Sequence, residues 1–187
     1  CDAAANAVRN VTFELKNGDR IALDGANGCG KTSLVKAILA CNKDGEAVSS
    51  DYKTTGILEV PQNLIISYIS QDTSHLKGSL RDFAREKRLD YTLLLALLRQ
   101  LDFERVLFDK DMELYSEGQK KKVLIASSLL TPAHLYIWDE PLNYIDVYTR
   151  MQIEKLLLAF RPTMLFVEHD VRFKETIATG VLHMERN

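Results

Sequence analysis

Hydrophobic residues along this chain switch repeatedly between the spacing of strands and the spacing of helices. Val11, Phe13 and Leu15 alternate with polar residues, Asn17-Gly18-Asp19 supplies a turn, and Ile21-Ala22-Leu23 runs apolar into Gly25, the pattern of a hairpin leading into a buried strand. Leu34, Val35, Ile38 and Leu39 then recur at helical spacing. Asn42 to Thr55 is polar and reads as a loop, while Gly56 to Val60 and Leu64 to Ser70 read as strands, the second ending at Gln71.

At Gly78 the character changes. Ser79 is placed to cap a helix through Arg88, and Tyr91 to Leu101 makes another, so residues 72–115 are expected to form a small helical subdomain within one domain spanning 1–187. Ser116 and Gln119 stand in the S-x-x-Q order of a capping box, opening a helix through Val123, Leu124, Ser127 and Leu130 that Pro132 closes. Leu135 to Trp138 is a buried strand, Asp146 to Phe160 a helix, Met164 to Val167 a strand, Val171 to Ala178 a helix and Val181 to Met184 a last strand. Strands alternating with helices predict an α/β fold, a mainly parallel sheet flanked by helices, with an antiparallel β part at its start.

Composition acts mainly by exclusion. A 46% hydrophobic, 27% charged chain can bury an ordinary globular core, and no apolar run approaches the roughly 20 residues that cross a bilayer. A net charge of -2 gives no electrostatic reason for broad nucleic-acid contact. Lys120-Lys121-Lys122 spreads over different faces of its helix and reads as solvated surface. Arg81, Arg85, Lys87 and Arg88 are balanced by Asp82, Glu86 and Asp90. Cys1, Cys29 and Cys41 lack the paired spacing of a metal site and read as unpaired thiols of a reduced compartment. With Cys1 where Met would stand and no apolar leader after it, the sequence reads as a segment of a longer protein.

Gly25-Ala-Asn27-Gly28-Cys29-Gly30-Lys31-Thr32 completes the G-x-x-x-x-G-K-[ST] pattern between a strand and a helix. Its glycines let backbone amides approach a polyphosphate at a helix N-terminus. Lys31 would reach the terminal phosphates, Thr32 would offer its hydroxyl to Mg²⁺, and Ser33 would assist at the helix start or bind a phosphate oxygen. Asp139 and Glu140 close an apolar strand, and neighbours in sequence point apart, so one carboxylate can orient Mg²⁺ while the other polarises the attacking water.

These elements, in this order and over nearly the whole chain, resemble a nucleotide-binding domain of the ATP-binding cassette (ABC) superfamily. Gly25 to Thr32 matches its Walker A loop, Gln71 its Q-loop, Ser116-Glu117-Gly118-Gln119 its signature, Leu135 to Glu140 its Walker B strand, Asn143 to Asp146 its D-loop, and Glu168-His169-Asp170 its histidine switch. The resemblance implies a P-loop NTPase fold that binds ATP with Mg²⁺ and hydrolyses it. It also implies that Gln71 senses Mg²⁺ and the attacking water, that His169 contacts the terminal phosphate, and that Asp146 couples opposed sites. Ser116, Gly118 and Gln119 would close over ATP held by another cassette, so the isolated chain is expected to hydrolyse ATP weakly. Two departures stand out. Glu117 replaces the family's usual Gly, where it would either repel phosphate or point outward and favour the helix dipole. No aromatic residue precedes Phe13 to stack on adenine, and the alternation around Phe13 marks it as core.

Asp139-Glu-Pro-Leu-Asn143-Tyr-Ile-Asp146 resembles the ABC-F subfamily, and Ser116 to Val123 with Glu168-His-Asp resembles its ribosome-protection branch, which confers resistance to lincosamides, streptogramins and pleuromutilins. That likeness implies a cytoplasmic protein with a second cassette in the same polypeptide, the ribosome as partner, no direct membrane insertion and no metal cluster. The competing reading is the ATPase subunit of a membrane transporter, which shares every catalytic motif. Asn143, where transporters more often carry Ser, and the short helical insertion before Ser116 stand against it. A nonhydrolytic binding module is disfavoured by the joint presence of Lys31, Asp139, Glu140 and His169.

Overall fold

Five parallel strands lie in the order β2-β3-β4-β1-β5 in a computed structural model of the chain, which describes residues 11–44, 57–61 and 63–184. They are β1 (Arg20–Asp24), β2 (Ile66–Ile69), β3 (Leu135–Asp139), β4 (Met164–Val167) and β5 (Gly180–His183). Successive strand residues face opposite sides of the sheet, and both sides are covered. Tyr136, Trp138, Met164 and Phe166 enter the larger core, while Leu135, Ile137, Leu165 and Val167 enter the smaller one. This is why β3 and β4 read as continuous apolar runs instead of alternating ones.

The smaller core is covered by α1 (Lys31–Asp44) through Val35 and Ile38, with Phe13 and Leu15 resting on it. On the other side lie α4 (Glu117–Leu130), α5 (Val147–Phe160) and α6 (Val171–Ile177). The helical segment predicted between Gln71 and Ser116 supplies α2 (Leu80–Glu86), α3 (Tyr91–Gln100) and two 3₁₀ turns at Arg105–Leu107 and Met112–Leu114. Ser79 and Asp90 cap α2 and α3 by accepting from the backbone amides of Asp82 and Leu93. Leu80, Phe83, Leu94 and Leu98 share one hydrophobic cluster with Val123, Trp138 and Phe166. The segment is therefore packed continuously with the sheet.

Three expectations change. The first arm of the predicted hairpin alternates between half-buried and exposed from Val11 to Leu15, yet it forms no strand, and β1 pairs only with β4 and β5, in parallel, among the described residues. Residues 57–60 likewise form no strand, and Gly56 and most of the predicted 42–55 loop lie outside the described residues, although α1 reaches Asp44. The lysine triplet is not solvated surface: Lys121 and Lys122 are buried. Helix α4 runs between the sheet and the helical segment, so its stems cross apolar surface and their heads find acceptors, Lys121 Nζ at Ser70 O (3.0 Å) and Lys122 Nζ at Asp102 O (3.1 Å).

Helix α4 is fixed to the sheet by a buried polar chain: Trp138 Nε1 donates to Ser128 Oγ at 2.9 Å, and that hydroxyl lies 2.7 Å from Ser67 Oγ on β2. Trp138 is fully buried. Replacing Ser128 by Ala would leave its indole N–H without an acceptor, an expected loss of about 1–3 kcal/mol. Urea unfolding followed by the fluorescence of Trp138, the single tryptophan, measures this; an unchanged midpoint would show that the chain of hydroxyls does not hold α4.

Candidate active site

A parallel sheet brings the carboxyl ends of all its strands to one edge, where open α/β sheets bind ligands. The phosphate loop leaves β1 there, Gln71 follows β2, Asp139 ends β3 and His169 follows β4. Gly25 opens the loop at φ +152°, and a Cβ on it would lie 2.4 Å from Met184 O and 2.8 Å from Cys29 Sγ, so only glycine fits. The Cys29 side chain is buried beneath the loop, while Ala26, Asn27 and Gly28 face solvent. Lys31 folds back over the loop, its Nζ donating to Gly25 O at 2.6 Å and Ala26 O at 3.2 Å.

Asp139 is 1% exposed. Its carboxylate is satisfied from two sides, by Thr32 Oγ1 at 3.1 Å from α1 and by Gln71 Nε2 at 3.1 Å from the end of β2. The three residues selected from sequence for Mg²⁺ thus meet at one point. A hydroxyl, a carboxylate and an amide carbonyl are hard oxygen donors, and so few protein ligands suit a cation that retains water and phosphate oxygens. The donor set fits Mg²⁺ held together with a nucleotide.

Glu140 has different partners, as expected for a second role. His169 Nε2 lies 3.2 Å from Oε1, and Asn143 Nδ2 donates to Oε2 at 2.8 Å. Its backbone is left-handed, φ +50°, a conformation that costs a non-glycine residue on the order of 1 kcal/mol. The bond from Glu140 N to Val167 O (3.0 Å) holds it there. Strain and two side-chain clamps meet on this one carboxylate.

The signature opens α4 with the predicted capping box: Ser116 Oγ accepts from Gln119 N at 3.3 Å, and Gln119 Oε1 accepts from Ser116 N at 2.9 Å. Glu117 resolves the alternatives posed by its charge in a third way. It accepts from Thr73 Oγ1 at 2.6 Å and pairs with Lys120 at 3.4 Å, and the Thr73 hydrogen bond, with Lys120 and Lys121 adding to it against desolvation, lowers its pKa. Gly118 packs on the D-loop of the same chain, where a Cβ would stand 2.5 Å from Tyr144 O. The side-chain hydrogen bonds to Asp139 and Glu140 come from Thr32, Gln71, Asn143 and His169, and none comes from Ser116, Gly118 or Gln119.

Asp146 caps α5, accepting from Thr149 N (2.8 Å) and Thr149 Oγ1 (2.7 Å), and it pairs with Lys122 Nζ at 3.1 Å. The sequence marks Asn143 as a D-loop and subfamily residue and not as a partner of Glu140, and it gives no sign that Thr73, Lys121 and Lys122 adjoin the site. Asn143, three residues past Glu140, was the one with a readable signal; the others depend on contacts across the fold. Ser33 lies in the first turn of α1, half-buried.

The ABC transporter family model matches residues 8–143. ATP-binding protein Uup of Buchnera aphidicola subsp. Acyrthosiphon pisum is 30% identical over 96% of this chain and 30% of its own length. ABC transporter F family member 5 of Arabidopsis thaliana is 25% identical over 95% of this chain and 25% of its own length. The solved complex of the archaeal ribosomal stalk protein aP1 with the archaeal ribosome recycling factor aABCE1 matches with a TM-score of 0.68 at 25% identity, over 95% of this chain and 36% of the solved one. This chain therefore spans about a third or less of these two curated relatives.

For Asp146, burial would raise the carboxyl pKa, but the Thr149 hydrogen bonds and Lys122 outweigh it and lower the pKa from 3.8 to about 2. A folded-state pKa below the unfolded one stabilises the fold above the unfolded value and loses that contribution as pH falls through the folded one. The stability gap between the native chain and Asp146→Ala should therefore be constant near neutrality and close between pH 4 and 2. Paired urea titrations across that range test this; a gap independent of pH would assign the stabilisation to packing alone.

Proposed function

This chain belongs to the ABC transporter family as one of its ATP-binding ATPase domains, and on that premise we propose that it is one of two cassettes in an ABC-F protein that works on the ribosome. The observation that carries the catalytic part is the division of labour between adjacent acids: Asp139 bound by Thr32 and Gln71, Glu140 by His169 and Asn143. Gly25, Asn27, Gly28, Cys29, Gly30, Lys31, Thr32 and Ser33 hold the polyphosphate, with the Lys31 ammonium moving from the loop carbonyls to the terminal phosphates. Thr32, Gln71 and Asp139 hold Mg²⁺, which when bound neutralises phosphate charge and aligns the leaving group.

Glu140 then takes the proton of the attacking water, and His169, within hydrogen-bond reach of Glu140, faces the terminal phosphate. Ser116, Gly118 and Gln119 serve the ATP of the other cassette, using a helix N-terminus against phosphate charge. Asp146 lies between the two duties, fixed to the signature helix by Lys122. The length of the relatives, three or more times this chain, leaves room for a second cassette.

The ribosomal part is supported by the F-family relative and by the solved ribosome recycling factor complex. No helix among the described residues is long and apolar enough to cross a membrane. Within ABC-F, the Ser116-to-Val123 and Glu168-His169-Asp170 sequences favour the antibiotic-resistance branch.

Glu140→Gln in the full-length parent should keep ATP binding and lose on the order of 10²-fold or more in turnover; near-normal hydrolysis would remove Glu140 from the role of base. The same hydrolysis-deficient protein should cosediment with ribosomes when ATP is supplied. Fractionation with membranes and not ribosomes would replace this reading with a transporter subunit.

A further inference from the structure

The two clamps on Glu140 sit on different loops. Asn143 follows β3 and His169 follows β4, and each must stay in place for the carboxylate to face one direction. Between these loops lies Glu168, 4% exposed. Its Oε1 accepts from the backbone amides of His169 at 2.8 Å and Asp170 at 3.5 Å, and its Oε2 accepts from the amide of Leu142 at 3.2 Å. Leu142 immediately precedes Asn143. One buried carboxylate thus joins the backbone of the residue that clamps Oε1 of Glu140 to the backbone beside the residue that clamps Oε2.

We propose that Glu168 is a positioning residue for ATP hydrolysis, holding His169 and Asn143 on Glu140. The proposal rests on the reading of Glu140 as the base. The chemistry requires a carboxylate at this point. Ionised, it offers acceptors at both ends, which is what two N–H groups on opposite loops need. A glutamine keeps the shape but offers one acceptor oxygen and sets an NH₂ donor against the other amide, while a serine or threonine is too short to span both loops. The negative charge is offset by the three amides, and Lys121, buried 2% exposed on α4, adds positive charge that acts on Glu168, Asp139 and Glu140 together. Glu168 makes no hydrogen bond to Lys31 or Thr32, so nucleotide capture should not depend on it.

The test uses the full-length parent carrying Glu168→Gln. Turnover should fall by about tenfold or more, as for a group acting only in the reaction step, while the affinity for a fluorescent ATP analogue stays within about twofold. Hydrogen exchange at the amides of Leu142 and His169 should accelerate, with exchange in β1 and α1 unchanged. In a Glu140→Gln background the substitution should cost no further turnover, because its effect passes through Glu140. Glu168→Asp keeps the charge but is too short to span both loops, and should reproduce the loss; it serves equally if the Gln variant does not fold. Native turnover in Glu168→Gln would overturn the proposal, and so would a parallel loss of turnover, nucleotide affinity and melting temperature, which would make Glu168 a general brace. A mistaken base shows separately, as near-normal turnover in Glu140→Gln, and the exchange at Leu142 and His169 tests the hold of Glu168 whichever way that control falls.

Discussion

Burying Asp139 at the end of an all-apolar strand is the constraint on which the site depends. A carboxylate so placed costs several kcal/mol unless polar partners reach it, and both partners come from other elements: Thr32 from the first turn of α1 and Gln71 from the turn after β2. Satisfying one charge therefore fixes the phosphate loop, the end of β2 and the end of β3 relative to one another. The sheet makes this possible because β2, β3, β4 and β1 are adjacent and parallel, so their carboxyl ends form a single edge. Glu140 and Glu168 extend the same logic along that edge, each carboxylate bridging two segments that the chain order keeps far apart.

Helix α4 answers the surplus of negative charge this creates. Its Lys121 ammonium is buried, and desolvation lowers its pKa while Asp139, Glu140, Glu117 and Glu168 act to raise it. The geometry agrees, since Lys121 Nζ donates to Ser70 O, one residue before Gln71. One lysine thus supports the backbone that presents Gln71 to Asp139 and lies within the field of all four acids. Lys122, on the next face of the helix, does the same for the D-loop by pairing with Asp146.

Periodicity and capping chemistry made most of the architecture legible. The capping box at Ser116 and Gln119, the cap at Ser79, and the apolar strands at 135–139 and 164–167 all depend on neighbours within a few residues, so sequence suffices to find them. The residues misread were those whose environment is set by distant elements. Alternation at Val11, Phe13 and Leu15 reported a half-buried face correctly, but a face does not specify a ladder partner. Three consecutive lysines look solvated because helical geometry spreads them around the axis; α4 is enclosed on nearly every side, which local spacing cannot reveal. At the site, Asp139, Glu140, Gln71 and His169 were found by position in a series of motifs, whereas Glu168 carries its meaning in three amides, one of them on another loop.

The signature at the head of α4 also gains a second meaning from its surroundings. Glu117 is bound by Thr73, two residues past Gln71, and Gly118 presses on Tyr144 of the D-loop, itself left-handed at φ +67°. Its carboxylate stays exposed, but it is engaged within its own chain, by Thr73 from the turn after β2 and by Lys120 on α4. Gln71, which meets Asp139, and Ser116, at the head of α4, are consequently joined through two hydrogen-bonded links, Lys121 to Ser70 and Thr73 to Glu117. In this fold, the turn after β2 and the head of α4 are hydrogen-bonded to each other at two points.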